Sequence, residues 1–266
     1  MLNASIVLYN HTVSEITPLV QVLKQSGVVS EIFLIDNSFE KNTDFDSLEV
    51  NYIFTGRNLG YGRAHNIALR KTIESGIPYH LVINPDISFD PKILLRIVDF
   101  MDKNTEIGQL MPKVFYPDGQ IQYLCKLLPT PFDLIFRRFL PKSWTQKRME
   151  HFELRASGYD RIMDVPYLSG CFMFLRTDAL KNAGLFDERF FMYPEDIDLT
   201  RRIHKLYRTV FYPEVSIVHH HAQSSYVNLK MLCVHVSNMI RYFNKWGWFF
   251  DQERKEINAK ILKQLP

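Results

Sequence analysis

Between residues 4 and 112 the chain alternates short β-rich runs with helical signals. That alternation restricts the fold more than any single motif does. ASIVLY (Ala4 to Tyr9) is a continuous apolar run, as expected of a strand buried on both faces. EIFLID (Glu31 to Asp36), NYIF (Asn51 to Phe54), HLVIN (His80 to Asn84) and IGQLMP (Ile107 to Pro112) follow it. Helical signals lie between them. Thr12 and Glu15 have capping-box spacing, with Gly27 as a stop. Gly60-Tyr61-Gly62 leads into a helix reaching about Ser75, closed by Gly76. Pro91 opens another that ends near Asn104. The order implies an α/β fold with a mostly parallel central sheet flanked by helices.

The pattern changes after Pro112. VFYPDGQIQY reads as a hairpin around a turn at Pro117 to Gly119. Leu128 to Tyr159 has weak periodicity and many basic and aromatic residues. DVPYLSGCFMFLRTDAL reads as strand, then a short helix ended by Gly184, and TVFYPEVSIVHHH as a further strand. Two helices are expected from about Val227 onward. No internal repeat or linker interrupts the 266 residues. They read as one domain over 1–225, with halves 1–112 and 113–225, and a helical C-terminal extension over 226–266. A net charge of +3 gives no signal for nucleic acid. Three scattered cysteines, Cys125, Cys171 and Cys233, point to a reduced, cytoplasmic compartment. The opening MLNASIVLYN is too short and too weakly basic for a signal peptide or a membrane span.

In open α/β sheets ligands bind beyond the carboxyl ends of the strands. Polar residues collect at those ends here: Asn10 after the first strand, Asp36 and Asn37 at the second, Asn84 and Asp86 after the fourth. Singly, each is an ordinary turn residue. RNLGYGRAHN (Arg57 to Asn66) is glycine-rich and enters a helix, where free amides bind anions, and Arg57 and Arg63 add charge suited to a diphosphate. It matches neither a P-loop nor GxGxxG. Asp86 offers a hard oxygen ligand for Mg²⁺ or Mn²⁺. His219, His220 and His221 are consecutive at a strand end, so adjacent histidines face opposite sides, at most alternate ones share a site, and one is expected in the pocket.

FMYPEDIDLTRRI (Phe191 to Ile203) sets Glu195, Asp196 and Asp198 behind an aromatic run. Pro194 suits the first helical position, and acids in the first turn meet the positive end of the helix dipole. Asp198 is placed to pair with Arg201 and Arg202, and Leu199, Ile203 and Leu206 recur as a buried stripe. That accounts for Asp198 but leaves Glu195 and Asp196 crowded by Phe190, Phe191, Met192 and Tyr193.

Taken together, SIVLYN, LIDNSF, RNLGYGRAHNIAL, INPD, LSGCFMFLRTDAL, AGLFDERFFMYPEDIDLTRRI and VSIVHHH resemble, in this order, family 2 glycosyltransferases of the bacterial rhamnosyltransferase-like group. The resemblance covers about residues 4 to 222. It implies a GT-A fold, a nucleotide-sugar donor, a divalent metal and inverting transfer to a glycan or lipid-linked acceptor in surface polysaccharide synthesis. By that pattern Asn10, Asp36 and Asn37 belong to the nucleoside pocket, and Asn58, Gly60 and Asn66 to the loop beside the donor. Asp86 is the remaining acid of a DxD-type motif in which Asn84 replaces the first Asp. Asp196 is the catalytic base, with Glu195 holding the acceptor or orienting Asp196, and His219 or His220 lies near the metal. The group suggests dTDP-L-rhamnose, with UDP-sugars as the alternative. A nucleotidyltransferase would carry a basic glycine-rich loop after the first strand, where this chain has YNHTVSE. A non-catalytic binding module would have no use for the acid pair.

Two aromatic, basic segments remain. Thr130 to Arg148 places Phe132, Ile135, Phe136 and Phe139 at helical spacing among Arg137, Arg138, Lys142, Lys147 and Arg148. FNKWGWFF (Phe243 to Phe250) adds two tryptophans and three phenylalanines. They suit either core or dimer packing, or a peripheral contact with an anionic membrane at the inner face of the plasma membrane.

Overall fold

A computed structural model describes residues 1–135, 140–220 and 229–265. In chain order the elements are Leu2–Leu8 (β1), Val13–Gln25 (α1), Val29–Asp36 (β2), Asn51–Phe54 (β3), Tyr61–Glu74 (α2), Tyr79–Ile83 (β4), Ile87–Ser88 (β5), Lys92–Lys103 (α3) and Ile107–Phe115 (β6). There follow Cys125–Lys126 (β7), Pro131–Leu134 (α4), Lys142–Phe152 (α5), Met163–Asp164 (β8), Tyr167–Leu168 (β9), Phe172–Arg176 (β10), Thr177–Ala183 (α6), Glu195–His204 (α7), Arg208–His219 (β11), Leu229–Trp246 (α8) and Gln252–Leu262 (α9).

The sheet runs β3-β2-β1-β4-β10-β6-β11-β5, with β8 also on β11. β3, β2, β1 and β4 are parallel, as the alternating sequence requires, and β11 runs parallel to β6. β10 departs from that rule: it lies between β4 and β6, antiparallel to both. Because it runs backwards, its first residue, Phe172, pairs with Ile83 at the carboxyl end of β4. The preceding loop, Ser169 to Cys171, is thereby delivered to the edge where the parallel strands end. The hairpin expected after Pro112 is reduced to one bridge, Phe115 with Ile121, closed by the Tyr116 N–H to the Gln120 carbonyl.

Both sheet faces are covered. On one, Ile16, Leu19 and Leu23 of α1 and Ile97 and Met101 of α3 pack on Leu34, Leu81 and Ile83. On the other, Leu69, Leu180, Leu199 and Ile203 of α2, α6 and α7 meet Val82, Met173 and Leu175. The Thr12–Glu15 capping box forms as expected. The stripe on α7 stops at Ile203: the helix ends at His204, and Leu206 lies 59% exposed in the turn beyond.

The C-terminal helices brace α7. Arg201 was expected to pair with Asp198. It turns the other way, buried, and forms a bidentate pair with Asp251 at 2.8 Å, with Glu253 at 2.7 Å and the Trp246 ring 4.1 Å away. Asp198 keeps its other expected partner, Arg202, at 2.9 Å, and is also met by Lys245 at 2.6 Å and the Trp246 indole N–H at 2.8 Å. Distance along the sequence hid these partners. Arg201→Ala would take the bidentate partner from Asp251, which is 5% exposed and keeps, among the described residues, only the Arg254 N–H at 2.9 Å and its guanidinium at 3.9 Å. Removing one partner of a buried pair costs about 3–5 kcal/mol, and we expect that loss in urea unfolding. A loss of only about 1 kcal/mol, as for an exposed pair, would show that α9 does not depend on Arg201.

Candidate active site

The site is built where the parallel strands end and α7 begins. β5 pairs antiparallel with the last residues of β11, His219 opposite Ile87, and the His220 N–H donates to the Asp86 carbonyl. This brings Asp86 beside His219, with Oδ1 and Nε2 3.3 Å apart. His219 is buried and its Nδ1 lies 2.9 Å from Gln122 Oε1. The His220 ring faces the opposite side, against Ser88 Oγ at 3.0 Å, so of these two rings that of His219 meets the Asp86 carboxylate. His221 lies outside the described residues. A carboxylate oxygen and an imidazole nitrogen facing one another are donors that suit Mn²⁺ or Mg²⁺. Asp86 and His219 therefore fit a divalent cation, although no group of three such side chains assembles among the described residues.

Across the same edge, Pro194 caps α7, one position earlier than the sequence suggested, and Glu195 and Asp196 form its first turn. Asp196 is half-buried. Its Oδ2 accepts the Gly170 N–H at 2.9 Å and its Oδ1 the Ile197 N–H at 2.8 Å. Glu195 is buried, and its Oε2 has no hydrogen-bond partner among the described residues. Burial pushes the Asp196 carboxyl above the usual carboxylate range, opposed by the amides of Gly170 and Ile197. Burial pushes Glu195 up as well, reinforced by repulsion from Asp196. The helix dipole alone would keep Asp196 fully ionised, but desolvation outweighs it here.

Tyr61 ties these parts together. Its hydroxyl donates to the Gly170 carbonyl at 2.7 Å and lies 3.1 Å from Asn84 Oδ1, and its backbone N–H donates to the Phe191 carbonyl at 3.0 Å. Asn84 in turn donates its backbone N–H to the Cys171 carbonyl at 2.9 Å. Gly170 must be small: a Cβ there would stand 3.2 Å from the Asp196 Cβ. Lys126, on β7, adds positive charge that favours the ionised Asp196.

The glycine-rich loop works differently from an amide cradle. Gly60 N donates to Asn58 Oδ1 at 2.9 Å, and Asn37 Nδ2 donates to the Gly60 carbonyl at 3.1 Å. At φ 82°, a Cβ on Gly60 would lie 2.2 Å from the Phe191 carbonyl oxygen, and one on Gly62 would lie 2.8 Å from the Phe186 Cβ. These glycines let α2 approach the aromatic segment before α7. Asn66 clamps the backbone of Phe186, donating to its carbonyl at 2.9 Å and accepting from its N–H at 3.1 Å. Asp36 is buried, holding Ser38 and the Tyr52 hydroxyl at 2.6 Å. Arg63 pairs with Glu188 at 3.4 Å, and Arg57 and Asn10 are exposed at the carboxyl edge.

Tyr61, Gly170, Lys126 and Gln122 were not picked out from the sequence. Tyr61 and Gly170 lie inside the motifs GYG and LSGC, whereas Gln122 and Lys126 carry no local signal at all.

No protein-family profile matches the chain. It is 30% identical over 216 residues to the N-acetylglucosaminyl-diphospho-decaprenol L-rhamnosyltransferase of Mycobacterium tuberculosis, covering 73% of this chain and 67% of that protein. It is 26% identical over 179 residues to the low-salt glycan biosynthesis hexosyltransferase Agl10 of Haloferax volcanii, covering 65% of this chain and 53% of that one. Among solved structures, GalNAc-T7 with UDP, GalNAc and Mn²⁺ superposes with a TM-score of 0.63 at 15% identity. That match covers 96% of this chain but only 50% of the GalNAc-T7 chain. TarS of S. aureus gives 0.60 at 15% identity, covering 99% and 43%. These architectures define a GT-A glycosyltransferase fold. The chain belongs to the family 2, rhamnosyltransferase-like glycosyltransferases.

Proposed function

We propose that the protein transfers a sugar, L-rhamnose from dTDP-L-rhamnose, to a hydroxyl of a lipid-linked glycan, inverting the anomeric carbon. The observation that carries this reading is Asp196: half-buried, held by Gly170, and on the same sheet edge as Asp86 and His219. The mycobacterial relative's name supports both the sugar and the lipid-linked acceptor. Residues 1–112 would hold the nucleotide sugar, with Asn10, Asp36, Arg57 and Asn58 toward the nucleoside and diphosphate. Residues 113–225 would hold the acceptor.

In this mechanism Asp196 accepts the proton of the acceptor hydroxyl as its oxygen attacks the anomeric carbon, and the nucleoside diphosphate leaves from the opposite face. Gly170 and Ile197 fix the carboxylate's orientation. Glu195, held neutral, keeps a second negative charge away from the attacking oxygen. A divalent cation held by Asp86 and His219 would offset charge on the leaving diphosphate.

The membrane contact is the second element of the proposal. Much of the basic aromatic sequence packs inward: Arg148 pairs with Asp133 at 2.7 Å and lies 4.5 Å over the Phe132 ring, Phe243 is buried, and Trp246 covers Arg201. Trp144, Phe249 and Phe250 point outward, at 78%, 65% and 94% exposure. Arg137 and Arg138 lie outside the described residues. No described helix is long and apolar enough to cross a membrane. We infer a peripheral contact through these outward aromatics, as a lipid-linked acceptor requires.

Two experiments test the proposal. Purified protein is incubated with dTDP-L-rhamnose and a panel of UDP-sugars on an N-acetylglucosaminyl-diphospho-lipid acceptor. Transfer from dTDP-L-rhamnose is expected, falling about 10²–10⁴-fold in Asp196→Asn while donor binding, read by thermal shift, persists. Turnover of the variant within a few-fold of wild type would remove Asp196 from the role, and transfer from a UDP-sugar alone would replace the donor. In the second, the protein is expected to sediment with anionic vesicles and to do so less after Phe249→Ser with Phe250→Ser. Wild type that stays in the supernatant overturns the membrane contact.

A further inference from the structure

Gln122 lies between β6 and β7 and is buried against the end of β11, 4% exposed. Its Nε2 donates to the His219 carbonyl at 2.9 Å and reaches the Phe115 carbonyl at 3.4 Å. Backbone carbonyls only accept, so this end of the amide is its NH₂ group. The other end, Oε1, is thereby fixed toward His219 Nδ1, 2.9 Å away. An amide oxygen also only accepts, so Nδ1 carries the hydrogen. A neutral imidazole has one N–H, which leaves Nε2 as a lone pair. That lone pair faces Asp86 Oδ1 across 3.3 Å.

Two acceptors at that distance repel unless a proton or a cation lies between them. A divalent cation held by both atoms would remove that repulsion, and a carboxylate oxygen and an imidazole nitrogen are donors that suit one. Gln122 grips both ends of the residue. One hydrogen bond holds the backbone of His219 and the other holds its ring, so neither the strand register nor the ring flip is left open.

We propose that Gln122 is a positioning residue for a divalent cation: it sets the tautomer and orientation in which His219 presents Nε2 alongside Asp86. This rests on the cation reading above. Gln122 touches neither the cation nor the substrate and acts only through His219. Partners of this kind typically change metal affinity by about 10–100-fold when removed.

The test has two readouts, neither of them transfer activity. The first is Mn²⁺ binding to the full chain by electron paramagnetic resonance, alone and with dTDP or UDP. Gln122→Leu is expected to weaken it about 10–100-fold. The second is the ¹⁵N shift pattern of the His219 ring in the metal-free wild type, identified by its loss in His219→Asn. It is expected to show hydrogen on Nδ1 and none on Nε2 at alkaline pH. Wild type that takes up no Mn²⁺ overturns the cation reading on which the proposal rests. Equal Mn²⁺ affinity in wild type and Gln122→Leu overturns the part played by Gln122 alone. Should Gln122→Leu fail to fold, the wild-type ring still decides, since hydrogen on Nε2 rather than Nδ1 contradicts the clamp.

Discussion

The hydrogen bond from the Gly170 N–H to the Asp196 carboxylate joins the sheet to the helix that carries the acid pair. A bond to a charged acceptor is worth roughly 1.5–3 kcal/mol, and here it also opposes the desolvation that pushes the carboxyl toward its neutral form. It exists because β10 runs antiparallel among strands that are otherwise parallel around it. A parallel β10 would have carried Gly170 to the opposite edge, away from Asn84, Asp86 and His219. One reversed strand therefore places the loop that holds Asp196 beside the loop that holds Asp86, and the Tyr61 hydroxyl fastens both.

The same helix is also held along its length by the C-terminal segment. Arg201 reaches Asp251 and Glu253, and Asp198 is met by Lys245 and Trp246. Phe190 and Ile197 share an apolar cluster with Met239, Tyr242 and Phe243 of α8. The extension therefore supports the acid pair from behind. Two desolvated carboxylates at one helix start are costly, and a helix anchored along its length can sustain them.

The parallel strands, the capping box on α1, the polar strand ends and the acidic start of α7 were all legible in the sequence, because each is a local pattern of spacing or residue type. The reversal of β10 was not: FMFLR reads as a strand in either direction. Asp198 with Arg201 looked like a helical ion pair, yet a partner 50 residues away offered Arg201 a bidentate, buried geometry. The glycines of GYG suggested amides free for phosphate, whereas Gly60 and Gly62 instead give room to Phe191 and Phe186. The pairing of Asp86 with His219 followed from strand alternation once β5 was seen to lie against β11. The amide of Gln122, 97 residues from His219, had no counterpart in any local pattern.

In the proposed mechanism Asp196 ionises as the base while Glu195 stays neutral beside it. The most direct measurement is the pH dependence of kcat in wild type and in Glu195→Gln, using the donor and acceptor found active. Transfer needs ionised Asp196, whose folded pKa is raised, so activity should be lost as pH falls through a midpoint above about 4, the ordinary aspartate value. Glutamine reproduces neutral Glu195, so the variant should keep that acid limb and most of the rate. An acid limb at the ordinary aspartate value would contradict a desolvated Asp196 as the base, and a Glu195→Gln variant without activity would make Glu195 the proton acceptor instead.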